Sequence, residues 1–330
     1  MQKSEATVTT QSDFVYALGA SPSFQQDGIC FAAKQSGLYR SQDGGIAWDY
    51  CFNAFRTKSL IPATAIVISP TFDSDRTLFV GTYGGILNST DGGDSWEFVP
   101  LPSPAPIVTA LEISPNYHQD GIVLAATLED GVFRSINRGA GWVSWNFGLL
   151  DWRVHCITIS PQFAQDETVI IGTESGLFQS KNGGRMWQEV ASPVIGDLIS
   201  HILLTAQFTS HGELLIATED GKLYQREKND QWEKLEMQTS TEHIQALISF
   251  PPQLSVSNRY LVFTETEIFC GTDSPVLPVK EKYSGQDLKG ITCALAVSKK
   301  QSSPQILLGT IDGNVRQILL SHQFVELTLR

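Results

Sequence analysis

The side chains that do chemistry are all present in this chain, but their spacing does not bring them together into a reactive set. The six histidines (His118, His155, His201, His211, His243 and His322) form neither HExxH nor HxH, so the close ligand spacing of a hydrolytic metal centre is missing. The five cysteines (Cys30, Cys51, Cys156, Cys270 and Cys293) are odd in number, far apart and without a CxxC pair, which argues against zinc ligation and against a disulfide framework. Cys30, Cys156, Cys270 and Cys293 lie in apolar runs, where a thiol behaves as a small buried hydrophobe. No GxSxG nucleophile elbow and no Walker-type loop occurs. These patterns lead us to expect no catalytic residue, no metal and no cofactor.

Recognition chemistry is concentrated in VSWNFGLLDWRVH (143–155), where Trp145, Asp151, Trp152, Arg153 and His155 stand close together. Aromatic side chains beside arginine make up the typical core of a protein-binding hot spot, and an exposed indole also stacks on sugars. The competing reading is that both rings are ordinary packing. Arg56 lies in a second segment of the same kind, NAFRTKSLIP (53–62). Short turn-like segments carry Glu129, Asp130, Glu174, Glu219 and Asp220, followed by Glu265, Glu267 and Asp312. Such carboxylates either form a broken acidic rim that suits a cationic partner or a weakly held Ca²⁺, or serve their own turns.

What must position these residues is a repeat. SPxFxxD, an apolar run, GTxxG and SxDGGxxW follow one another in SPSFQQDGICFAAKQSGLYRSQDGGIAW (21–48) and SPTFDSDRTLFVGTYGGILNSTDGGDSW (69–96). The order recurs at 114–142 and 160–187, and in a fainter copy at 206–232. The repeat-ending tryptophans, Trp48, Trp96, Trp142, Trp187 and Trp232, are 48, 46, 45 and 45 residues apart, the period of a four-stranded propeller blade. YLVFTETEIFC (260–270) and ILLGTIDGNVRQILL (306–320) match the two middle strands of two worn copies. GTxxG-like turns begin at Lys34, Thr82, Thr127, Thr173, Thr218, Thr264 and Thr310, which makes seven blades, with six or eight as alternatives. The expected fold is therefore all-β, a single β-propeller with blades of four antiparallel strands. Its blades fall at 13–52, 62–100, 107–146, 153–191, 199–236, 243–280 and 290–329, after an N-terminal extension at 1–12.

Within a blade, strands A and B read as nearly continuous apolar runs, as strands buried on both sides must. HQFVELTL (322–329) reads as a fourth strand for the last blade, and ATVTT (6–10) as a segment able to add to an edge. Loops D–A and B–C then share one face of the disc, and A–B and C–D the other. The second face carries the repeated turns, so the first holds the variation that specificity needs.

The turn SxDxGxxW appears as SQDGGIAW (41–48) and STDGGDSW (89–96), and with asparagine as SINRGAGW (135–142) and SKNGGRMW (180–187). Asp43, Asp91, Asn137 and Asn182 accept turn N–H groups in this reading, the second glycine takes a positive φ, and Trp48, Trp96, Trp142 and Trp187 pin the turn to the sheet. Two of the four acidic positions have lost their charge, which a catalytic carboxylate would not tolerate. Here the chain resembles the Asp-box (bacterial neuraminidase repeat) propellers, which include sialidases, xyloglucan-active hydrolases, sortilin-type receptors and photosystem II assembly factors. The resemblance implies a propeller rather than an activity. A sialidase would need an arginine triad and a Phe-Arg-Ile-Pro element before the first box. Here Arg40 and Arg134 are repeat positions, and FRTKSLIP (55–62) follows that box. A xyloglucanase would need opposed carboxylates in a cleft between two propellers.

The formal net charge of −12, from 23 basic and 35 acidic residues, repels phosphate backbones and anionic lipid heads, so neither nucleic acid nor membrane is an expected partner. MQKSEATVTTQSDF shows no apolar leader region, which makes the cytoplasm the expected location. The expected function is a non-catalytic protein-binding scaffold whose partner is unknown. A carbohydrate-binding or glycoside-hydrolase-like propeller is the alternative, and an assembly factor resembling that of photosystem II is a further one.

Overall fold

A strand that is apolar on both sides has to be covered on both sides, and strand B of every repeat is such a strand. Cys30–Lys34, Leu78–Gly81, Val123–Thr127, Val169–Thr173, Leu214–Thr218, Tyr260–Phe263 and Gln305–Thr310 are buried at every position. The computed structural model describes residues 13–53, 55, 59–102, 106–204, 214–227, 230–237, 243–249, 260–271, 277–278, 288–297 and 305–319. In it each strand B lies second in an antiparallel sheet whose strands run in sequence order, and neighbouring sheets supply the cover. Six sheets have four strands, and the seventh is described with three, Ile291–Val297, Gln305–Thr310 and Val315–Leu319. The segments 322–329 and 6–10, read above as strands, lie outside the described residues.

The innermost strands touch one another in order around the axis, and the last, Ile291–Val297, packs against the first, Val15–Ala20. The ring is thus a closed seven-bladed β-propeller, which leaves no open sheet edge on its inner side. Polar pins hold the seam. Thr292 Oγ1 donates to the Val15 carbonyl at 2.5 Å, and Gln317 Nε2 donates to the Gly44 carbonyl at 3.0 Å. Lys34 occupies the strand-end position that is threonine in the other six blades. There the hydroxyl donates to a carbonyl of its own B–C turn, as Thr82 does to Gly85 at 2.9 Å and Thr127 to Gly131 at 2.8 Å. The longer Lys34 instead crosses the seam, and its buried Nζ donates to the Gly313 carbonyl at 2.7 Å while lying 4.3 Å from the centre of the Tyr39 ring. Burial lowers the Lys34 pKa, against the opposing pull of Asp13.

The SPxFxxD connection, expected as a simple turn, forms a single helical turn in four blades: α1 (Phe24–Asp27), α2 (Phe72–Asp75), α3 (Tyr117–Asp120) and α4 (Phe163–Asp166). Its aromatic residue is buried in each case. The aspartate ties both ends, accepting from the Ser21 hydroxyl at 2.6 Å and the Ile29 N–H at 2.8 Å in blade 1, with the same pair of bonds at Asp75, Asp120 and Asp166. The residue that ends the turn is left-handed. It is glycine at Gly28 and Gly121 but a strained side-chain-bearing residue at Arg76 (φ 50°) and Glu167 (φ 46°).

The box turns are built as expected. Asp91 Oδ1 accepts the N–H groups of Asp94 (3.0 Å) and Ser95 (2.9 Å), and Ser89 Oγ accepts the Gly93 N–H at 2.9 Å. Asn182 Oδ1 accepts the equivalent groups of Arg185 (3.1 Å) and Met186 (2.9 Å), so a neutral oxygen makes the same two backbone bonds. Gly45, Gly93, Gly139 and Gly184 all have positive φ. Trp142 and Trp187 are buried, whereas Trp48 and Trp96 are half-buried. A bond from each box to its A–B turn, such as Gly44 N–H to the Gly28 carbonyl at 2.9 Å and Gly183 N–H to Glu167 at 2.8 Å, puts these turns on one face. Bonds from D–A loops to B–C turns, such as Gly131 N–H to the Trp152 carbonyl at 2.9 Å and Gly196 N–H to Ser175 at 2.7 Å, build the other.

Two stability measurements follow from this architecture. Asp91→Ala should lower the unfolding free energy by about 1–2 kcal/mol in urea titrations, and Asp91→Asn, which keeps the backbone bonds, should lower it by less. Lys34→Met, which keeps the stem but leaves the Gly313 carbonyl unpaired, should cost about 1–2 kcal/mol, the range for one lost buried partner.

Candidate functional site

The D–A connector between blades 3 and 4 begins with a very short outer strand, Val143–Ser144. The chain then leaves the sheet, and side chains rather than a ladder hold it. Asn146 takes over as a backbone mimic: its Oδ1 accepts the Val132 N–H at 2.8 Å and its Nδ2 donates to the Asp130 carbonyl at 2.8 Å. Trp187, the box tryptophan of the next blade, clamps the other side, donating from its backbone N–H to the Phe147 carbonyl at 2.9 Å and from Nε1 to the Trp145 carbonyl at 2.8 Å. Gly148 is left-handed (φ 79°), and a Cβ there would fall 2.3 Å from the Trp187 carbonyl. The loop is therefore fixed, with Leu149 buried beneath it.

What this fixed loop displays is apolar. Phe147, Leu150 and Trp152 are 74%, 79% and 50% exposed, far beyond what packing would leave. Trp152 keeps its polar edge satisfied, with Nε1 donating to the Leu149 carbonyl at 3.2 Å. Trp145 is different: it is half-buried, and its backbone carbonyl serves the Trp187 clamp.

Charged groups sit beside this ridge. Asp151 is buried, and its Oδ2 accepts the Ser175 N–H at 2.9 Å while Oδ1 accepts the Arg153 N–H at 3.1 Å and Arg153 Nε at 3.3 Å. Burial pushes the Asp151 carboxyl up, but the hydrogen bonds from Arg153 and Ser175 outweigh it and hold the group below the usual carboxylate range. The Arg153 guanidinium also pairs with Glu174, and His155 Nε2 stands 3.6 Å from the same carboxylate. Asp151, Trp152, Arg153, His155 and Glu174 are thus brought together as one cluster. Glu129 and Asp130 adjoin it through the Gly131–Trp152 bond. Glu219 and Asp220 lie one blade further on, where Lys222 Nζ pairs with Asp220 at 2.7 Å and with Asp197 at 3.2 Å. Arg56 lies outside the described residues. Asp43, Asp91, Asn137 and Asn182 belong to the opposite face, in the box turns.

His155 has a structural explanation that its sequence position hides. It is the bulged residue of its innermost strand, and the equivalent bulges elsewhere carry Tyr16, Thr109, Ser200 and Thr292. Thr109 Oγ1 uses this position to donate to the Val154 carbonyl of the next blade at 2.6 Å. Thr292 makes the same kind of bond to the Val15 carbonyl, whereas Ser200 donates within its own blade, to the Ala217 carbonyl at 3.1 Å.

Sequence reasoning missed the apolar display. Of the fourteen large hydrophobic side chains exposed among the described residues, eight lie on the D–A/B–C face: Leu60, Tyr83, Ile107, Phe147, Leu150, Trp152, Ile195 and Ile311. The available signal was FGLL (147–150), an apolar group placed inside a connector.

Two titratable groups on the innermost strands also escaped notice. Glu112 pairs with Leu124 in its ladder, and the six equivalent positions are Gly19, Val67, Thr158, Leu203, Ile248 and Leu295. Burial in this mostly apolar ring pushes the Glu112 carboxyl up to about 8, opposed only by the Ile113 N–H, and burial pushes His201 down to about 4. Both touch solvent in part, yet protein surrounds them and that enclosure dominates. Burial drives the Cys51, Cys156 and Cys293 thiols up to about 12, which disfavours a thiolate at those three positions.

No family model matches the chain, and a search of curated proteins finds no match. Solved structures do match. An ancestral GH74 enzyme superposes with a TM-score of 0.75 at 17% identity, over 95% of this chain and 46% of that one. YCF48 bound to D1 peptide gives 0.65 at 14% identity, covering 94% and 93%. A streptogramin B lyase gives 0.68 at 11% identity, covering 95% and 96%. The chain thus spans about half the length of the GH74 enzyme and nearly all of the other two. All are seven-bladed β-propellers, and at these identities the likeness is one of fold.

The enclosed carboxyl has a measurable consequence. The stability tied to Glu112 is complete below its ordinary pKa of 4.5 and is lost as pH rises to about 8. Glu112→Gln should match the wild type near pH 4 and exceed it by about 1–3 kcal/mol at pH 9 in urea unfolding. His201 works in the opposite sense, losing stability as pH falls from 6.5 to about 4, so His201→Asn should flatten the acid limb of the same curve.

Proposed function

We propose that this chain is a non-catalytic protein-binding scaffold that presents its D–A/B–C face to a partner. The observation that carries this reading is that eight of the fourteen exposed large apolar side chains among the described residues lie on that one face, three of them on the connector locked by Trp187. Exposed large apolar side chains clustered in one loop mark an interaction surface, as Phe147, Leu150 and Trp152 do here, and a fixed loop presents them at little entropic cost. The carboxylates nearest the ridge favour binding over catalysis. Asp151 and Glu174 are both engaged by Arg153, so neither stands ready as a general acid or base.

A second reading is carbohydrate binding, favoured by the half-exposed Trp152 indole beside Asp151, Arg153 and Glu174. The fold likeness to a GH74 enzyme is compatible with it. The likeness to YCF48 bound to D1 peptide is compatible with the peptide-binding and assembly-factor form of the first reading, in a propeller of similar size.

Trp152→Ala combined with Arg153→Ala should abolish partner capture from native lysate while shifting the melting temperature by no more than about 2 °C. A glycan array run in parallel separates the two readings, because array binding lost in the double variant would favour sugars. If the wild-type chain retains nothing that the variant loses, the face is not a recognition surface.

A further inference from the structure

We propose that the segment docking on this face is a basic, amphipathic stretch of polypeptide. The inference rests on the scaffold reading and adds the chemistry of the partner. Its ground is the sector formed by the loops of blades 3 to 5, from the Thr127–Gly131 turn to the Thr218–Lys222 turn, all of it described.

Hydrogen bonds link the loops of that sector to one another. The blade 3 turn donates from Gly131 to Trp152, the next loop joins blade 4 through Ser175 and Asp151, Gly196 donates to Ser175, and Glu219 donates to the Leu198 carbonyl at 3.0 Å. Phe147, Leu150, Trp152 and Ile195 protrude from it. Its turns and loops carry seven carboxylates against two cations. Each cation is shared by two carboxylates, Arg153 by Asp151 and Glu174, and Lys222 by Asp197 and Asp220. Neither pair is therefore neutral. Glu129, Asp130 and Glu219 add further negative charge around the apolar ridge, and Glu129 and Glu219 are exposed.

This combination selects among partners. An acidic segment, a phosphate backbone or an anionic lipid surface meets repulsion at every turn. A neutral apolar segment gains the ridge but leaves the carboxylates unanswered. A segment with alternating apolar and Lys or Arg side chains satisfies both, and its cations also meet the half-exposed Trp152 ring. Arg153 and Lys222 sharpen the choice, since an incoming guanidinium or ammonium can take up the second carboxylate that each already shares.

The test uses the full chain and four dye-labelled peptides of one length and pattern: Lys/Leu, Glu/Leu, Ser/Leu and Lys/Ser. Fluorescence anisotropy should show Lys/Leu binding at least about tenfold more tightly than the other three, with affinity falling as salt rises. Glu129→Gln with Glu219→Gln should weaken Lys/Leu several-fold, as should Leu150→Ser, with the melting temperature unchanged in both. Glu/Leu or Ser/Leu binding as well as Lys/Leu, and still depending on Leu150, overturns the basic partner while leaving the scaffold reading intact. Lys/Ser binding as well as Lys/Leu overturns the amphipathic requirement. Binding by none of the four overturns the inference, and the lysate capture above then decides separately whether the face recognises any protein.

Discussion

The whole structure depends on one constraint: strand B of every repeat is apolar on both sides, and no single blade can cover it. Cys30–Lys34 needs blades on either side just as Val169–Thr173 does, so stability is a property of the ring. This explains why the seam between blades 7 and 1 is so heavily pinned. Elsewhere a continuous chain also brings neighbouring blades together; at the seam Thr292 repeats the bond that Thr109 makes between blades 3 and 4, and Lys34 and Gln317 add two more.

Closure divides the labour between the two faces. On one, box turns and A–B helical turns hydrogen-bond each other in the same pattern in blades 1 to 4, using their polar groups to hold geometry. On the other, the D–A loops differ from blade to blade in length and composition, and there apolar side chains remain uncovered. The scaffold is uniform where it must repeat and varied where nothing forces repetition. On the innermost strands, enclosure raises the Glu112 pKa and lowers that of His201, favouring the neutral form of each.

The architecture was legible in the sequence because a repeat multiplies weak signals. A single SxDxGxxW is a turn, but four at near-constant spacing define a period, and the period names the fold. The one-turn helices were not legible, since four residues are too few to show a helical periodicity. The cluster around Asp151 and Glu174 was legible in part. Asp151, Trp152, Arg153 and His155 are neighbours in sequence, and Glu174 follows from assigning B–C turns to the same face. The separate fates of Trp145 and Trp152 were hidden, because they depend on Trp187, more than thirty residues away. The same clamp leaves Phe147 and Leu150 in solvent, where local patterning would read them as core. The role of His155 as a bulge residue required the ladder register, which composition does not carry.

That clamp also bears on how such a protein changes over evolutionary time. The shape of the blade 3 connector is dictated by a tryptophan encoded in the following repeat, so the inheritable module for this loop is a pair of consecutive repeats. Duplication or exchange of one repeat alone would keep the ring but scramble the loop. Recombination within such rings should therefore preserve architecture readily while passing on the shape of this connector only when adjacent repeats travel together.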